Sequence, residues 1–367
     1  MDRSHVAAAL FVLCALPASG HGQGSMFPTA EEYAERAAQA EAAPLFQSHE
    51  ALKITLTTDI DWLRDERNDS VEVEGTAAFI DLDGMEVIKP VDVRTRGEFR
   101  RDKRNCNFPP LRFDFPRSQM EGTVFEGQNR LKLVTPCHDG RDSYQNYVFD
   151  EYLAYRVLQL ITPYSFRVRL VEITYVDIED DYDTRTKFGF LIEDETAMAE
   201  RNRSTMVQAT QVAPQRVDGA HSVILALFSY MIANTDWSPT YFHNSKLLRT
   251  EDGRYLTVPY DFDWAGVVNA RYADPDVTLP IRNVRQRLFR GFCRPELQHG
   301  SVTRVYDATR QDVRDLYEGF GALGLEQFDE DDAKDALKYF EDFYKVVDDP
   351  EEFEDEIIDD CRDMLTG

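Results

Sequence analysis

"MIANTDWSPTYFHNSKLLRTEDGRYLTVPYDFDWAG" occupies residues 231 to 266 and mixes acidic and amide side chains with large apolar ones. Its beginning completes an apolar helical pattern, and the Asn, Thr, Asp, Ser and Pro that follow predict a loop. The second half predicts a β-hairpin, because apolar residues around Leu248 and Val258 flank a Glu-Asp-Gly turn. Such a hairpin would bring Asp236, in the loop, close to Asp261, at the end of the second strand.

The polar side chains of this stretch predict a site for a divalent cation beside a proton acceptor. Asn244, Asp261 and Asp263 offer the hard oxygen ligands that Mg²⁺ prefers, while phosphate and water take most of its other positions. Asp236 would remain available to accept a proton or to orient a nucleophile. These are parts that phosphoryl transfer requires, together with a cationic group on the phosphates. Two simpler explanations stay open for single residues: Asn-Thr-Asp can cap a turn, and Asp-Phe-Asp can face water on a strand.

Upstream of this stretch the pattern is mainly that of strands. Period-two alternation recurs between residues 52 and 134 and again between 166 and 194, and a helical period over residues 146–162 separates the two groups. After residue 195 the pattern becomes mainly helical. We therefore predict a β-rich part holding one long helix, followed by a mainly helical part. The predicted divisions are a signal peptide (1–20), an N-terminal extension (21–50), a β-rich lobe (51–195) and a helical lobe (196–367).

Composition restricts the class of partner. The chain has 367 residues and a formal net charge of −26, with 43% apolar residues. These values are typical of a globular protein whose surface repels nucleic acid, so we exclude a nucleic-acid-binding role. Only nine of the 41 basic residues are lysine. An acid-rich, lysine-poor chain suits a salty environment, although a GC-rich genome would produce the same bias.

The N-terminus predicts export. A basic start, an apolar run from Val6 to Leu16 and the small residues that follow it are typical of a secretory signal, which is too short for a membrane span. We expect no integral membrane segment after cleavage, and a periplasmic, cell-surface or extracellular location. Four cysteines would remain and can form up to two disulfides in three connectivities: Cys106, Cys137, Cys293 and Cys361.

The pattern N-T-D, H-N, hairpin, P-Y-D-F-D is similar to the active-site segment of the CotH-type spore-coat kinases and, more distantly, of HipA-type kinases. The resemblance extends over about residues 90 to 270 and includes the R-T-R-G turn at 94–97. It implies an α+β, two-lobed protein-kinase-like fold with ATP and Mg²⁺ as cofactors. By the same resemblance, Asp236 is the catalytic aspartate, Asn244 and Asp261 bind magnesium, and Asp263 is a second metal-binding acid.

The sequence departs from that pattern in its spacing. Asp236 and Asn244 lie farther apart than the pattern has them, so WSPTYF resembles an insertion, and no G-x-x-x-x-G-K-[ST] loop is present. The phosphate-binding cation is predicted to be Lys132, with Arg112 as second choice. Lys246 would reach substrate or pair with an acid.

Two acids complete the predicted nucleotide site. Glu151 lies on the helix after the Lys132 strand, and Glu193 ends the strand at the lobe boundary, where backbone groups would meet adenine. Residues 267–296 carry six arginines, which would bind an anionic substrate or pair with the acidic tail, Asp348 to Asp360.

The function predicted is Mg-ATP-dependent phosphoryl transfer to a protein or small-molecule acceptor by a secreted enzyme. Two alternatives remain open. One is a catalytically weak binding or structural protein on the same scaffold. The other is a metal-dependent hydrolase that uses Asp236, Asp261 and Asp263.

Overall fold

The computed structural model describes residues 27–364, and its most regular part is a β-barrel. The barrel strands are β1 (Leu52–Thr58), β2 (Val73–Ile80), β3 (Glu86–Thr95), β4 (Leu111–Asp114), β5 (Arg130–Val134), β6 (Val168–Asp177) and β7 (Arg185–Ile192). They close in the order β1-β2-β3-β4-β5-β7-β6. Neighbouring strands are antiparallel except for β1 and β6, which run parallel.

The closed barrel argues against a two-lobed protein-kinase-like fold, so that prediction is wrong. Alternation predicts where strands occur but does not say which of them become neighbours. Here β1 pairs with β2 on one side, where Ile54 faces Phe79, and with β6 on the other, where Ile54 faces Ile173. This second pairing joins distant parts of the chain and removes the free edges of both strands. The resulting fold is mixed α+β, with a barrel, a smaller sheet and helices.

Alternation along the barrel strands separates two hydrophobic cores. Leu131 and Leu133 of β5 and Leu191 of β7 lie in the barrel core, whereas Phe190 packs into the core shared with the helices. Successive side chains of a strand point to opposite faces. Lys132, between the two leucines of β5, therefore lies on the outer face of the barrel.

Helices and a smaller sheet complete the fold, and Ile60 and Leu63 of one short helix pack into the barrel core. The helices are α1 (Ala30–Glu41), α2 (Ile60–Glu66), α3 (Ser143–Ile161), α4 (Glu195–Arg201), α5 (Gly219–Met231), α6 (His299–Gly321), α7 (Glu330–Asp348) and α8 (Pro350–Phe353). A smaller sheet, in the order β10-β9-β8, contains β8 (Ser204–Val207), β9 (Ser245–Thr250) and β10 (Tyr255–Pro259). The predicted hairpin is confirmed as β9 and β10, and the predicted long helix as α3. Strand β8 was not predicted.

The N-terminal extension contains α1, which begins with a capping box. The Thr29 hydroxyl accepts from the N–H of Glu32, and the Glu32 carboxylate accepts from the N–H of Thr29, so two unpaired helix-end donors are satisfied. The predicted signal peptide, residues 1–20, lies outside the described residues. The predicted boundary near residue 195 falls between β7 and α4.

Two disulfides select one of the three possible connectivities. Cys106 pairs with Cys137, and Cys293 pairs with Cys361. Among residues 27–364, no helix has both the length and the apolar character needed to cross a membrane.

Candidate functional site

Main-chain contacts hold the loop of Asp236 against the segment that carries Asp263. After α5 the chain reverses at Ala233, whose φ of 52° is left-handed. The N–H of Gly266 donates to the carbonyl oxygen of Ala233 at 3.0 Å. A Cβ at Gly266 would lie 2.3 Å from the carbonyl oxygen of Val284, so only glycine allows this approach. The two acids therefore lie on loops that touch.

The long spacing between Asp236 and Asn244 does not separate them. The N–H of Ser238 donates to the carbonyl oxygen of His243 at 2.9 Å, so residues 237–242 fold back on themselves. The Asn244 amide donates to the carboxylate of Asp236 at 3.0 Å and to its main-chain oxygen at 2.9 Å. The extra residues therefore form a closed turn, and Asn244 still reaches Asp236.

The hairpin places Asp261 beside the same loop. The N–H of Tyr260 donates to the carbonyl oxygen of Asn244 at 3.0 Å, which continues the β9–β10 ladder by one pair. Asp261 then adopts a left-handed φ of 66°, and its N–H donates to the hydroxyl of Tyr155 at 2.8 Å. Phe262 points into the core, where its ring lies 4.6 Å from that of Tyr155. Phe262, the residue between Asp261 and Asp263, is buried and anchors both acids.

Three carboxylates share one partly enclosed region. Asp263 is buried and accepts from the hydroxyl of Tyr272 at 3.1 Å. Burial, followed by the negative charge of Asp261, raises the pKa of Asp263 to about 7. Burial, followed by Asp263 and Asp261, also raises the pKa of Glu151 well above its ordinary value. The buried guanidinium of Arg100, 3.9 Å from the carboxylate of Glu151, offsets part of this charge.

This excess of negative charge suits a divalent cation. The Nδ2 group of Asn244 donates to Asp236, which leaves its amide oxygen available as a ligand. Within residues 27–364 no group of three or more His, Cys, Asp and Glu side chains is arranged to hold a metal ion unaided. The residues present instead fit Mg²⁺, which commonly takes one or two carboxylates and completes its shell with water and phosphate oxygens. Asp261, Asp263 and Asn244 are the candidate ligands.

Two ammonium groups lie over one aromatic ring next to these acids. The Nζ atoms of Lys132 and Lys246 are 5.0 and 5.4 Å from the centre of the Tyr260 ring. Lys246 also donates to the carboxylate of Glu195 at 2.8 Å, so its charge is paired. Burial, followed by the charge of Arg96, lowers the pKa of Lys132 to about 8. The charge of Lys246 is therefore offset by an ion pair, whereas the charged form of Lys132 is disfavoured by its surroundings.

The sequence prediction did not include two arginines of this region. Arg96 directly follows β3, and its Nε is buried without a hydrogen-bond partner. Its charge acts on both Lys132 and Glu151. Arg100 binds Glu151 as described, and it also donates to the carbonyl oxygen of Thr135. The R-T-R-G turn was the available signal, but nothing in it shows that the charge of its second arginine acts on a lysine of another strand.

Of the other predicted nucleotide-site residues, Arg112 lies on the same side of the barrel as Lys132, whereas the Glu193 side chain has its partners elsewhere. Arg112 faces Lys132 directly across β4 and β5, so it adds a further cation to the same side of the barrel. Glu193 is buried, and its carboxylate binds the guanidinium of Arg201 and the N–H of Arg167 at 3.0 and 2.9 Å. These partners lie outside the predicted site. The Glu193 side chain therefore serves to pack the start of β6 against α4.

The arginines of residues 267–296 mainly bind the main chain. Arg287 donates to the carbonyl oxygen of Tyr339 at 2.7 Å, and Arg290 donates to that of Thr235, the residue before Asp236. In the described part of the chain, no ion pair joins these arginines to the acidic tail, so the predicted pairing is wrong. Among them, Arg290 contacts the loop of the candidate site.

Two large cavities are lined in part by α3. One, of about 730 Å³, is lined by α3 and α7 residues such as Asp150 and Asp332. The other, of about 630 Å³, is mostly apolar and is lined by Tyr152, Phe188 and Phe320, among others. Neither is lined by Asp236, Asp261 or Lys132.

Comparison with known proteins does not supply an identity for this site. The chain matches no protein-family model, no curated protein and no solved structure.

Proposed function

We propose that this protein transfers a phosphoryl group from ATP, with Mg²⁺, to a hydroxyl group of a protein or other acceptor. One observation carries the proposal: a carboxylate pair, Asp261 and Asp263, adjoins the cations around the Tyr260 ring. A metal-bound polyphosphate has the matching charges, since its oxygens take both metal and ammonium partners. The proposal rests on these side chains and not on a kinase fold.

The cations would hold the phosphates. Lys132, Arg96 and Arg112 lie together on the outer face of the barrel, and an acid-rich chain otherwise repels anions. Arginine offers a planar fork for phosphate oxygens, and lysine offers a compact charge. Glu151 would act indirectly, through its contact with Arg100.

Asp261, Asp263 and Asn244 would hold the metal. These residues would hold Mg²⁺ beside the phosphates, where its positive charge would offset theirs. The raised pKa of Asp263, caused by burial and then by Asp261, supports this assignment, because a nearby dication removes the cost of two adjacent negative charges.

Asp236 would accept the proton of the acceptor. As the acceptor oxygen bonds to the γ-phosphorus, its O–H bond breaks and the proton passes to Asp236. The bond from the γ-phosphorus to the bridging oxygen breaks, and ADP leaves. Asp236 is partly exposed and has hydrogen-bond donors on both carboxylate oxygens, which supports a fixed orientation towards the acceptor.

We also propose that the protein is exported. The N-terminal pattern and the two disulfides support this, because disulfides persist mainly in oxidising compartments. The periplasm, the cell surface and the extracellular medium are all compatible with them.

Calorimetric titration with ATP and Mg²⁺, together with a phosphate-transfer assay, tests the proposed reaction. We expect wild type to bind. Asp261→Asn should lower affinity at least about tenfold, the loss expected for one charge-assisted contact. Asp236→Asn should keep affinity and lose turnover. Asp312→Asn, an exposed acid on α6, is the matched control and should change neither.

Absence of nucleotide binding by folded wild-type protein would overturn the proposal. Binding without turnover in wild type would favour the binding-protein alternative. Phosphoester hydrolysis without nucleotide would favour the hydrolase alternative.

A further inference from the structure

His243 contacts the proposed proton acceptor. Its Nε2 lies 2.8 Å from Oδ1 of Asp236, and the Asn244 amide lies 3.0 Å from Oδ2. A carboxylate accepts hydrogen bonds but does not donate them, so Nε2 carries the hydrogen in this contact. Each oxygen of Asp236 is therefore held by one donor.

The turn formed by residues 237–242 builds this contact. The turn is closed by the bridge between Ser238 and His243, and the carbonyl oxygen of Thr240 accepts from the N–H of Val212 at 2.9 Å. Trp237 is buried at its base. The turn is thus held by the burial of Trp237 and by the hydrogen bond to Thr240, and these contacts set the position of His243 relative to Asp236.

We infer that His243 is a positioning residue for the proposed phosphoryl transfer, and the inference rests on that proposed function. Donation from Nε2 to Oδ1, opposite the donation from Asn244 to Oδ2, prevents rotation of the Asp236 carboxylate. Each oxygen keeps a free lone pair for the acceptor hydroxyl. A carboxylate held in this way meets the hydroxyl in one geometry, and the rate of a bound reaction depends strongly on geometry.

If the contact had a purely structural role, loss of His243 would lower the melting temperature. The His243 side chain is 59% exposed and that of Asp236 is 36% exposed. An exposed hydrogen bond of this kind contributes little to folding stability. Loss of His243 should therefore change turnover while the melting temperature stays near that of wild type.

Three substitutions separate the hydrogen bond from the bulk of the ring. The amide nitrogen of glutamine can take the place of Nε2, whereas that of asparagine is too short and corresponds to Nδ1. Leucine keeps volume without a donor. Tyr241→Phe, an exposed position in the same turn, is the control because it removes one hydroxyl that has no contact with Asp236.

The experiment measures kcat, KM for ATP and nucleotide affinity for these variants. We expect kcat to fall by about tenfold to a hundredfold in His243→Leu and His243→Asn, with affinity and KM unchanged. His243→Gln should retain most of the wild-type kcat, and Tyr241→Phe all of it. If His243→Leu does not fold, comparison of kcat between His243→Gln and His243→Asn still tests whether the hydrogen bond from Nε2 is required.

Three results would overturn the inference, and they differ in what else they imply. Equal kcat in wild type and His243→Leu, or equal losses in the Gln and Asn variants, would remove the positioning role and leave the proposed function standing. A wild-type protein without turnover, whether or not it binds nucleotide, would remove the proposed function and the inference with it.

Discussion

Lys132 is the residue at which burial and charge act most directly on the proposed reaction. Burial, and then the neighbouring Arg96, disfavour the charged ammonium and lower its pKa to about 8. A bound phosphate would favour the charged form. The ammonium is therefore available below that pKa and is lost as the pH rises through it.

We predict that affinity for a non-hydrolysable ATP analogue with Mg²⁺ falls between about pH 7 and about pH 9. If binding requires the ammonium, the fall approaches about tenfold for each pH unit above the pKa. Titration calorimetry across this range measures it. Lys132→Met should bind weakly and without this decline.

Lys246→Met provides the control for that prediction. Lys246 contacts the same Tyr260 ring, but its hydrogen bond to Glu195 raises its pKa despite the opposing effect of burial. Its removal should lower affinity and leave the pH dependence in place. A decline that persists in Lys132→Met would assign the titrating group elsewhere.

At the scale of elements, the connection between β3 and β4 brings Arg96 and Arg100 to the site. The disulfide from Cys106 to Cys137 joins this connection to the end of β5, the strand of Lys132. Arg67 also donates to the carbonyl oxygen of Cys106 at 2.8 Å. The connection is therefore held in place independently of any ligand.

We predict that the double variant Cys106→Ser, Cys137→Ser loses affinity for the nucleotide. Freed from its covalent tie, the connection would no longer hold Arg96 beside Lys132. The double variant Cys293→Ser, Cys361→Ser should keep that affinity, because its disulfide joins residues outside the site. Each variant should lose about 2–4 kcal/mol of unfolding free energy.

The melting temperature of each variant measures its loss of stability. Nucleotide affinity, measured at a temperature where both variants remain folded, measures the loss of the Arg96 position. Equal losses of affinity would mean that the first disulfide acts only through overall stability.

Elements with short-range signals were the ones that sequence could predict. The β9–β10 hairpin follows from apolar residues on both sides of a Glu-Asp-Gly turn, and α3 follows from its helical period. Strand β8 was missed because its residues, Ser-Thr-Met-Val, do not alternate between polar and apolar, whereas the equally short β4 does. The spacing of Asp236 and Asn244 likewise gave no sign of the turn that brings them together.

At the scale of the whole molecule, the dominant property is charge. A formal net charge of −26 makes the folded chain repel itself, because folding brings carboxylates closer together. Added salt screens this repulsion, since the Debye length falls from about 10 Å at 0.1 M to about 3 Å at 1 M.

We predict that the melting temperature rises by several degrees as NaCl increases from about 0.1 M to about 1 M, where an ordinary protein near neutrality would change little. Differential scanning calorimetry measures this rise. Choline chloride at equal ionic strength is the control, because it screens without binding carboxylates closely. A flat or falling melting temperature in both salts would contradict the role of self-repulsion.

The acidic character and the order of most strands and helices follow from the amino-acid sequence, which also suggested the candidate acids and lysine of the proposed phosphate site. These properties depend on composition or on residues close together in the chain. Closure of the strands into a barrel is a property of the tertiary structure, because the parallel pairing of β1 with β6 joins segments that no local pattern connects. Tertiary contacts also bring the charge of Arg96 close enough to act on Lys132, and place His243 and Asn244 against Asp236. Contacts of this kind depend on strand neighbours and turn closure, which alternation and propensity do not specify.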